Sequence, residues 1–367
     1  MCKKLISIAG FDEAVVFERA QLEQVAQHLS NNSHLLAGML DKERYILSQL
    51  RMYNTKDCSY WVLRSLCEPT NILSSCTAVR VPVIFSSSKG CQSSTATIIT
   101  DIATPVEYRR QGFATALLKN VQETLDKLDN PPMFSVIYTS GIHTDFVEKL
   151  GWKPQPGTRM RISIGRTEIP RPAQADRAQY YPADGLQYAT SRDCNMSKQR
   201  LSAKRGGPTQ VQILPTHKFA LCKIDLSDMR ASEIHGSKPA AAGAVYTSRA
   251  FLTKAWMWWT HDFEARQLHV CRFASMRVEG MEAHYAKILE AAMAEASACG
   301  LWEVVIWDPT AQFIAGARMV VAALNTDKLN GPEIILEPRY DKIPCLRWRG
   351  GEDVAAEWIE RQMHSCF

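Results

Sequence analysis

The sequence predicts an α/β protein in two domains, on three observations. A β-branched run, a glycine-bearing loop and an amphipathic helix follow one another over residues 95–128. Strand-like and helix-like segments alternate on both sides of that unit. The second half then repeats the order hairpin, loop, helix, strand. At 367 residues the chain is long for a single core, so two domains are expected.

The elements follow in order. Residues 14–17 read as a first strand and 21–29 as a helix. Residues 42–52 form a second helix on Tyr45, Ile46, Leu47 and Leu50. Strands at 59–66 and 76–85 flank a turn-rich piece around Pro69 and Asn71, and residues 86–90 make a hairpin loop. Residues 95–103 are rich in Thr and Ile and end before Pro105, as a strand should. Leu117, Leu118, Val121, Leu125 and Leu128 recur at helical spacing over 114–128. Pro131 and Pro132 break the chain, 133–138 is strand-like, and a short helix at 144–150 stops at Gly151 before Trp152.

Residues 166–210 show little periodicity and read as a connection, with some local structure, between an N-terminal domain at 1–165 and a C-terminal domain at 211–367. In the second half, 211–214, 219–226 and 244–247 read as short strands. Residues 254–263 and 267–273 read as a hairpin, 282–299 as a helix and 302–307 as a strand.

Composition narrows the function classes. A net charge of +5 is mild, and no dense Lys/Arg block with interleaved aromatics points to nucleic acid. No apolar stretch reaches membrane-spanning length, so no membrane partner is expected. The eleven cysteines lack zinc-site spacing and read as reduced, mostly buried thiols, which predicts no metal and a cytoplasmic location. The apolar run at the N-terminus is ended by Asp12 and Glu13, too early for a signal peptide.

The chemistry concentrates in Arg109, Arg110, Gln111, Gly112, Phe113, Ala114 and Thr115. A strand-to-helix loop of the form Arg-x-x-Gly-x-Ala directs successive backbone N–H groups at an anion such as a pyrophosphate. Small residues at 112 and 114 allow the close approach, and the helix N-terminus favours negative charge. In the second half, Arg277-Val-Glu-Gly280-Met-Glu282 reads either as a decayed copy, with Glu282 repelling an anion, or as a coincidence of common α/β patterns.

Taken with the Leu150-Gly151-Trp152 ending, this order resembles the GNAT superfamily of acyl-CoA N-acyltransferases. More narrowly, residues 72–76, 102–109, 137–152, 259–263 and 305–309 resemble the fungal L-lysine N6-acetyltransferase family. The resemblance implies a GNAT fold: a central mixed, mostly antiparallel sheet flanked by helices, followed by a degenerate GNAT-like C-terminal domain. It implies acetyl-CoA, or another acyl-CoA, as co-substrate. Ile102, Ala103 and Thr104 would flank the thioester and pantetheine, and the amides from Arg110 to Thr115 would hold the pyrophosphate. The acceptor would be a small-molecule amine, lysine or a lysine-like metabolite.

Two positions depart from that pattern. Such enzymes commonly carry Phe-Tyr-x-x-Leu-Gly, the tyrosine protonating the thiolate; this chain has Phe146-Val147-Glu148-Lys149-Leu150-Gly151. A glutamate is expected after Ser75-Cys76, where this chain has Thr77. Tyr138 and His143 are the nearest candidates for proton transfer, each with an alternative as a packed strand residue or a surface helix-start residue. His261 and Asp262 read either as acceptor-binding groups or as a structural pair at a hairpin; as strand neighbours they should face opposite ways. The Trp256–Trp259 cluster walls a pocket or simply fills the core. The competing functions are a divergent acyltransferase with another donor or acceptor and an acyl-CoA-binding protein without turnover.

Overall fold

A computed structural model describes residues 3–36, 40–53, 57–87, 90–171, 178–204, 208–248, 253–277, 280–325, 331–349 and 356–366. The chain divides into two compact units. One comprises residues 1–85, 92–155 and 340–356; the other comprises 86–91, 156–339 and 357–367. The sequence reading placed the division ten residues later and did not foresee the return of 340–356 to the first unit.

The first unit contains strands Lys3–Ile6 (β1), Val15–Arg19 (β2), Cys58–Ser65 (β3), Ile72–Ser87 (β4), Gly90–Ala103 (β5), Phe134–Thr139 (β6) and Lys153–Pro154 (β7). Numbered in chain order, Ile343–Trp348 is β16. The sheet order is β1-β2-β3-β4-β5-β6-β16-β7. Pairs β1/β2, β2/β3, β3/β4, β6/β16 and β16/β7 are antiparallel, and β5/β6 is parallel. The mixed, mostly antiparallel sheet is therefore present.

Helices Leu22–Leu36 (α1), Lys42–Tyr53 (α2), Phe113–Asp126 (α3) and Thr144–Glu148 (α4) complete the unit. The stripe Phe113, Leu117, Leu118, Val121 and Leu125 buries α3 against Phe17, Leu63, Cys76, Ile99 and Ile137. Burying such a side chain is worth about 1.5–3 kcal/mol, so this face, more than helix propensity, fixes α3. Alternation along β4 sends Cys76 and Ala78 into that core and Ser75 and Thr77 to the opposite face, against His28 of α1. Beyond α4, Gly151 (φ +92°) turns the chain, and Trp152 is buried with its Nε1–H donating to Ser135 Oγ at 3.0 Å.

The second unit contains strands Thr158–Ser163 (β8), Gln179–Tyr181 (β9), Thr209–Ile213 (β10), Gly243–Thr247 (β11), Lys254–Asp262 (β12), Gln267–Ser275 (β13), Glu303–Trp307 (β14), Glu333–Pro338 (β15) and Ala356–Trp358 (β17). Its seven-stranded sheet has the order β15-β8-β14-β13-β12-β11-β9, and β10 pairs with β17 outside that sheet. Helices Leu186–Ala203 (α5), His217–His235 (α6), Glu282–Ala298 (α7) and Ala311–Leu324 (α8) accompany it. As in the first unit, a helix (α7) links two neighbouring parallel strands, β13 and β14.

Four expectations are corrected. Residues 219–226 lie within α6, not a strand: Ala220, Ile224, Ser227 and Ala231 are buried at helical spacing, and Gly236 (φ +71°) caps the end. Residues 186–203, within the stretch read as a connection with some local structure, form an 18-residue helix. Lys3–Ile6 is a strand. The sequence reading also placed no element at α8, β15 or β16. Parts of the loops at 86–90, 204–208 and 277–282 lie outside the described residues.

A buried ionic group braces the second unit. Arg272, fully buried, donates to Asp193 Oδ2 and Oδ1 at 2.7 and 2.8 Å and pairs with Glu360. Removing one member leaves buried charge uncompensated. We expect Arg272→Ala to lower unfolding free energy by about 3–5 kcal/mol in urea denaturation; a change below ~1 kcal/mol would contradict this role.

Candidate active site

The first unit's central strands part. The β5/β6 register runs Thr97–Ser135, Ile98–Val136 and Ile99–Ile137, and stops there. β5 continues through Thr100, Asp101, Ile102 and Ala103, and β6 through Tyr138 and Thr139. β16 holds the far edge of β6 over Ile343–Thr139 to Trp348–Phe134. A cleft of about 1150 Å³ lies where the strands diverge. Its walls include Ile102, Ala103, Thr104, Arg109, Ala114, Tyr138 and His143, and it extends to Gln27, Ser30, Ser33 and Lys42 on α1 and α2.

At one end the chain enters α3 through a loop with two left-handed residues, Arg110 (φ +62°) and Gly112 (φ +87°). Gly112 occupies the N-cap position, and no side chain caps the helix there. The cap residue, lacking a side chain, leaves the first-turn amides without the side-chain acceptor that an N-cap residue commonly supplies. The loop is braced: Arg109 Nε donates to Thr104 O at 3.0 Å, and Gln111 Nε2 to Glu107 O at 2.8 Å. Phe113 meets Phe11 and Tyr108 edge-on at 5.1 and 5.8 Å, and Tyr108 Oη exchanges hydrogen bonds with Asn71. Ser74 Oγ donates to Ala103 O at 3.1 Å and lies 3.0 Å from Thr104 Oγ1. Of the sequence-predicted residues, Arg109 and Ala114 of the loop line the cleft together with Ile102, Ala103 and Thr104, whereas Arg110, Gln111, Gly112, Phe113 and Thr115 are not among its lining residues.

The proton-transfer candidates also border it. Tyr138 is half-buried at the end of β6, and His143 is exposed at the start of α4. Val147 lines the cleft as well but is buried in the apolar core, its isopropyl group offering no proton.

The sequence reading missed Asp101. Its φ of +51° breaks the strand alternation, and the Thr100 and Thr77 hydroxyls both turn to its carboxyl. The residue is partly exposed, whereas Oδ2 is sealed from solvent and has no hydrogen-bond partner among the described residues. Burial pushes its pKa up to about 6. An ionised carboxylate only accepts hydrogen bonds, which orders the groups behind it. Thr77 donates to Asp101; His28 Nε2–H then donates to Thr77 Oγ1 (3.3 Å), and Ser75 Oγ–H to His28 Nδ1 (2.7 Å). The histidine in that chain is neutral, and burial lowers its pKa to about 4. Thr77, standing where the resemblance implied a glutamate, touches the carboxylate that this chain carries at 101. The available signal was an aspartate inside an otherwise β-branched run.

His261 and Asp262 are not among the cleft residues. His261 is buried in the second unit, stacked on Phe263 at 5.8 Å, with Nε2 3.4 Å from Glu295 Oε1. Asp262 Oδ1 accepts from Ala265 N at 2.9 Å and closes the hairpin turn. They divide between core and turn, as neighbours on a strand must. His261, Glu295 and Cys299 are close enough to offer three ligands to a metal ion. Glu295 already pairs with Arg171 at 3.2 Å, and burial pushes the Cys299 thiol up to about 12, which disfavours the thiolate a metal needs. Trp256–Trp259 are core: all four are buried.

Where β13 runs past its last pairing with β14, Val270–Ile306, the second unit is filled. Gln362 brackets the Phe273 backbone, accepting from its N–H at 2.8 Å and donating to its carbonyl at 3.4 Å. The Phe273 ring packs on Phe313 at 4.0 Å. Among the described residues, these contacts occupy the place that the cleft takes in the first unit.

The fold and cleft define the class, a GNAT-type N-acyltransferase. A family model described as the LYC1 GNAT-like C-terminal domain matches residues 166–365, more than half of the sequence, and the chain belongs to that family. A probable N-acyltransferase from Enterococcus faecalis V583 superposes with a TM-score of 0.56 at 13% identity, over 91% of this chain and 72% of that one. A GCN5-related N-acetyltransferase from Anabaena variabilis ATCC 29413 does so with 0.51 at 10% identity, over 91% and 73%. At such identities the likeness establishes the fold. No curated protein matches by sequence.

A Cβ on Gly112 would meet only Ile8 Cγ2, at 3.8 Å, so space is not the constraint; the φ of +87° is. Gly112→Ala is expected to cost about 1–2 kcal/mol in chemical denaturation, as left-handed strain without a clash. An unchanged midpoint would contradict that backbone geometry.

Proposed function

We propose that this chain transfers an acetyl or other acyl group from acyl-CoA to the amine of a small molecule, lysine or a lysine-like metabolite, by direct attack in a ternary complex. The observation that carries the reading is one cleft that joins parted parallel strands to an uncapped helix N-terminus. The amides of residues 110–115, with Arg109 and Arg110, would bind the pyrophosphate. The β5 edge at Ile102–Thr104, which β6 leaves beyond Ile99, would align pantetheine and supply a backbone donor to the tetrahedral oxyanion. The acceptor would enter from the polar end at Gln27, Ser30, Ser33 and Lys42, where a lysine cation suits an amino-acid carboxylate.

In the reaction the amine nitrogen attacks the thioester carbon, the C–S bond breaks and CoA leaves as a thiol. Tyr138 and His143, which line the cleft, would protonate the thiolate. Positioning and oxyanion stabilisation supply most of the acceleration in such transfers, so Val147 does not exclude turnover. One observation favours a second reading: Phe146 and Val147 give that end of the cleft an apolar wall, which suits a donor with a longer acyl chain.

Free-thiol release from acetyl-CoA across a panel of amines tests the reading. Release with lysine and formation of its side-chain amide are expected; binding of acetyl-CoA without release from any amine would contradict transferase function. Ala114→Glu separates site from fold. A carboxylate in the first turn favours the helix by about 0.3–1 kcal/mol yet occupies the anion's place. Thermal stability should hold while calorimetric CoA affinity falls at least about a hundredfold, some 2.7 kcal/mol or more. Unchanged affinity would show that the loop does not hold the cofactor.

A further inference from the structure

Asp101 is a buried carboxylate without a charge partner among the described residues, in the wall of the proposed acceptor cleft. Thr100 and Thr77 hydroxyls approach it, Tyr60 of β3 and Cys76 of β4 are the titratable groups facing it, and no cation neutralises it among those neighbours. Burial drives the Tyr60 and Cys76 pKa values upward, and His28, behind Thr77, is driven down to about 4. None of them exchanges a proton between pH 5 and 8, which leaves Asp101 as the titrating member. Such a group weakens the fold, and a solvent-sealed Oδ2 with no donor among the described residues is costly to retain. A cationic ligand or a mobile proton accounts for keeping it.

Thr100 connects it to the cleft. The threonine lines the cavity, and its Oγ1 is 3.4 Å from Asp101 Oδ1. Consecutive strand residues would normally face opposite ways; the left-handed backbone at Asp101 brings the two side chains together. We propose that Asp101, acting through the Thr100 hydroxyl, receives the proton that an acceptor ammonium must lose before it attacks the thioester. This deepens, and rests on, the acyl-transfer reading. It assigns this part of the cleft to a primary ammonium.

The balance is simple. Ammonium and thioester become amide, thiol and one proton. The first N–H proton passes to Thr100 Oγ1 while the threonine's own proton passes to Asp101, freeing the nitrogen lone pair. The second leaves as the C–S bond breaks and goes to the thiolate. Asp101 then returns its proton to solvent. An unperturbed lysine ammonium has a pKa of about 10.4, but enclosure in the cleft lowers it while burial raises that of Asp101, narrowing the gap.

The test uses the full chain, acetyl-CoA and the amine of the panel that releases thiol fastest. Wild-type kcat/KM should fall tenfold per pH unit below about 6, because Asp101 must be ionised to accept. Asp101→Asn should lose that acidic limb and about a hundredfold or more in kcat/KM, with calorimetric CoA affinity unchanged. Thr100→Val should lose a similar factor, and Thr100→Ser should restore most of it. Stability gives an independent readout. The folded pKa lies above the ordinary 3.8, so the carboxyl's contribution is fully present below that value and lost as pH rises through about 6. Asp101→Asn should therefore raise Tm at pH 8, with the gain vanishing towards pH 4. A retained acidic limb in Asp101→Asn, or Thr100→Val matching Thr100→Ser, would overturn the assignment while leaving acyl transfer intact. Absence of thiol release from wild type with every amine would overturn both.

Discussion

The divergence of β5 from β6 after Ile99 and Ile137 is the constraint on which the rest depends. A parallel pair that closed fully would satisfy its own backbone and leave no edge for a thioester. Three local features hold it open. β16 fixes β6 on its far side through six register pairs, left-handed Asp101 redirects β5, and Ser74 ties down the Ala103 carbonyl and approaches the Thr104 hydroxyl. The second unit shows the alternative outcome of the same strand-helix-strand order. There Gln362 and the Phe273–Phe313 contact fill the place, and Arg272 with Asp193 and Glu360 locks the adjoining strand. A shared topology thus serves as a cleft in one half and as a packed core in the other.

Charge is distributed along the cleft in an order suited to the proposed reaction. In that reading, helix-end amides with Arg109 and Arg110 would meet the anion and the backbone and apolar walls the thioester, while Gln27, Ser30, Ser33 and Lys42 give the cleft a polar lining at its opposite end. The buried Ser75–His28–Thr77 chain adds no net charge. Its fixed donor direction points hydrogen-bond donors at Asp101, which favours the ionised form and partly offsets the desolvation that disfavours it.

Local patterns made much of this legible. The Gly112 loop, the α3 stripe and the Thr/Ile-rich strand before it are set by short-range sterics and periodicity, and all three stand where the sequence put them. Non-local pairing was not legible: nothing in residues 343–348 announces that they insert beside β6, more than two hundred residues earlier. Residues 219–226 misled because a short apolar run fits a strand as well as a helix; α6 is settled by burial at Ala220, Ile224 and Ser227. His261 carried chemical promise, but packing against Glu295 and Phe263 absorbed it. Asp101 was hidden for the opposite reason. Its meaning lies in a sign of φ and in hydroxyls from two strands, neither of which is a sequence pattern.

Amide hydrogen exchange with and without acetyl-CoA tests the central claim most directly. The account expects the backbone N–H groups of residues 110–115 and the β5 edge at 101–104 to slow markedly on addition of the cofactor, with little change at residues 277–285 of the second unit. Unaltered exchange at 110–115, or protection confined to the second unit, would contradict it.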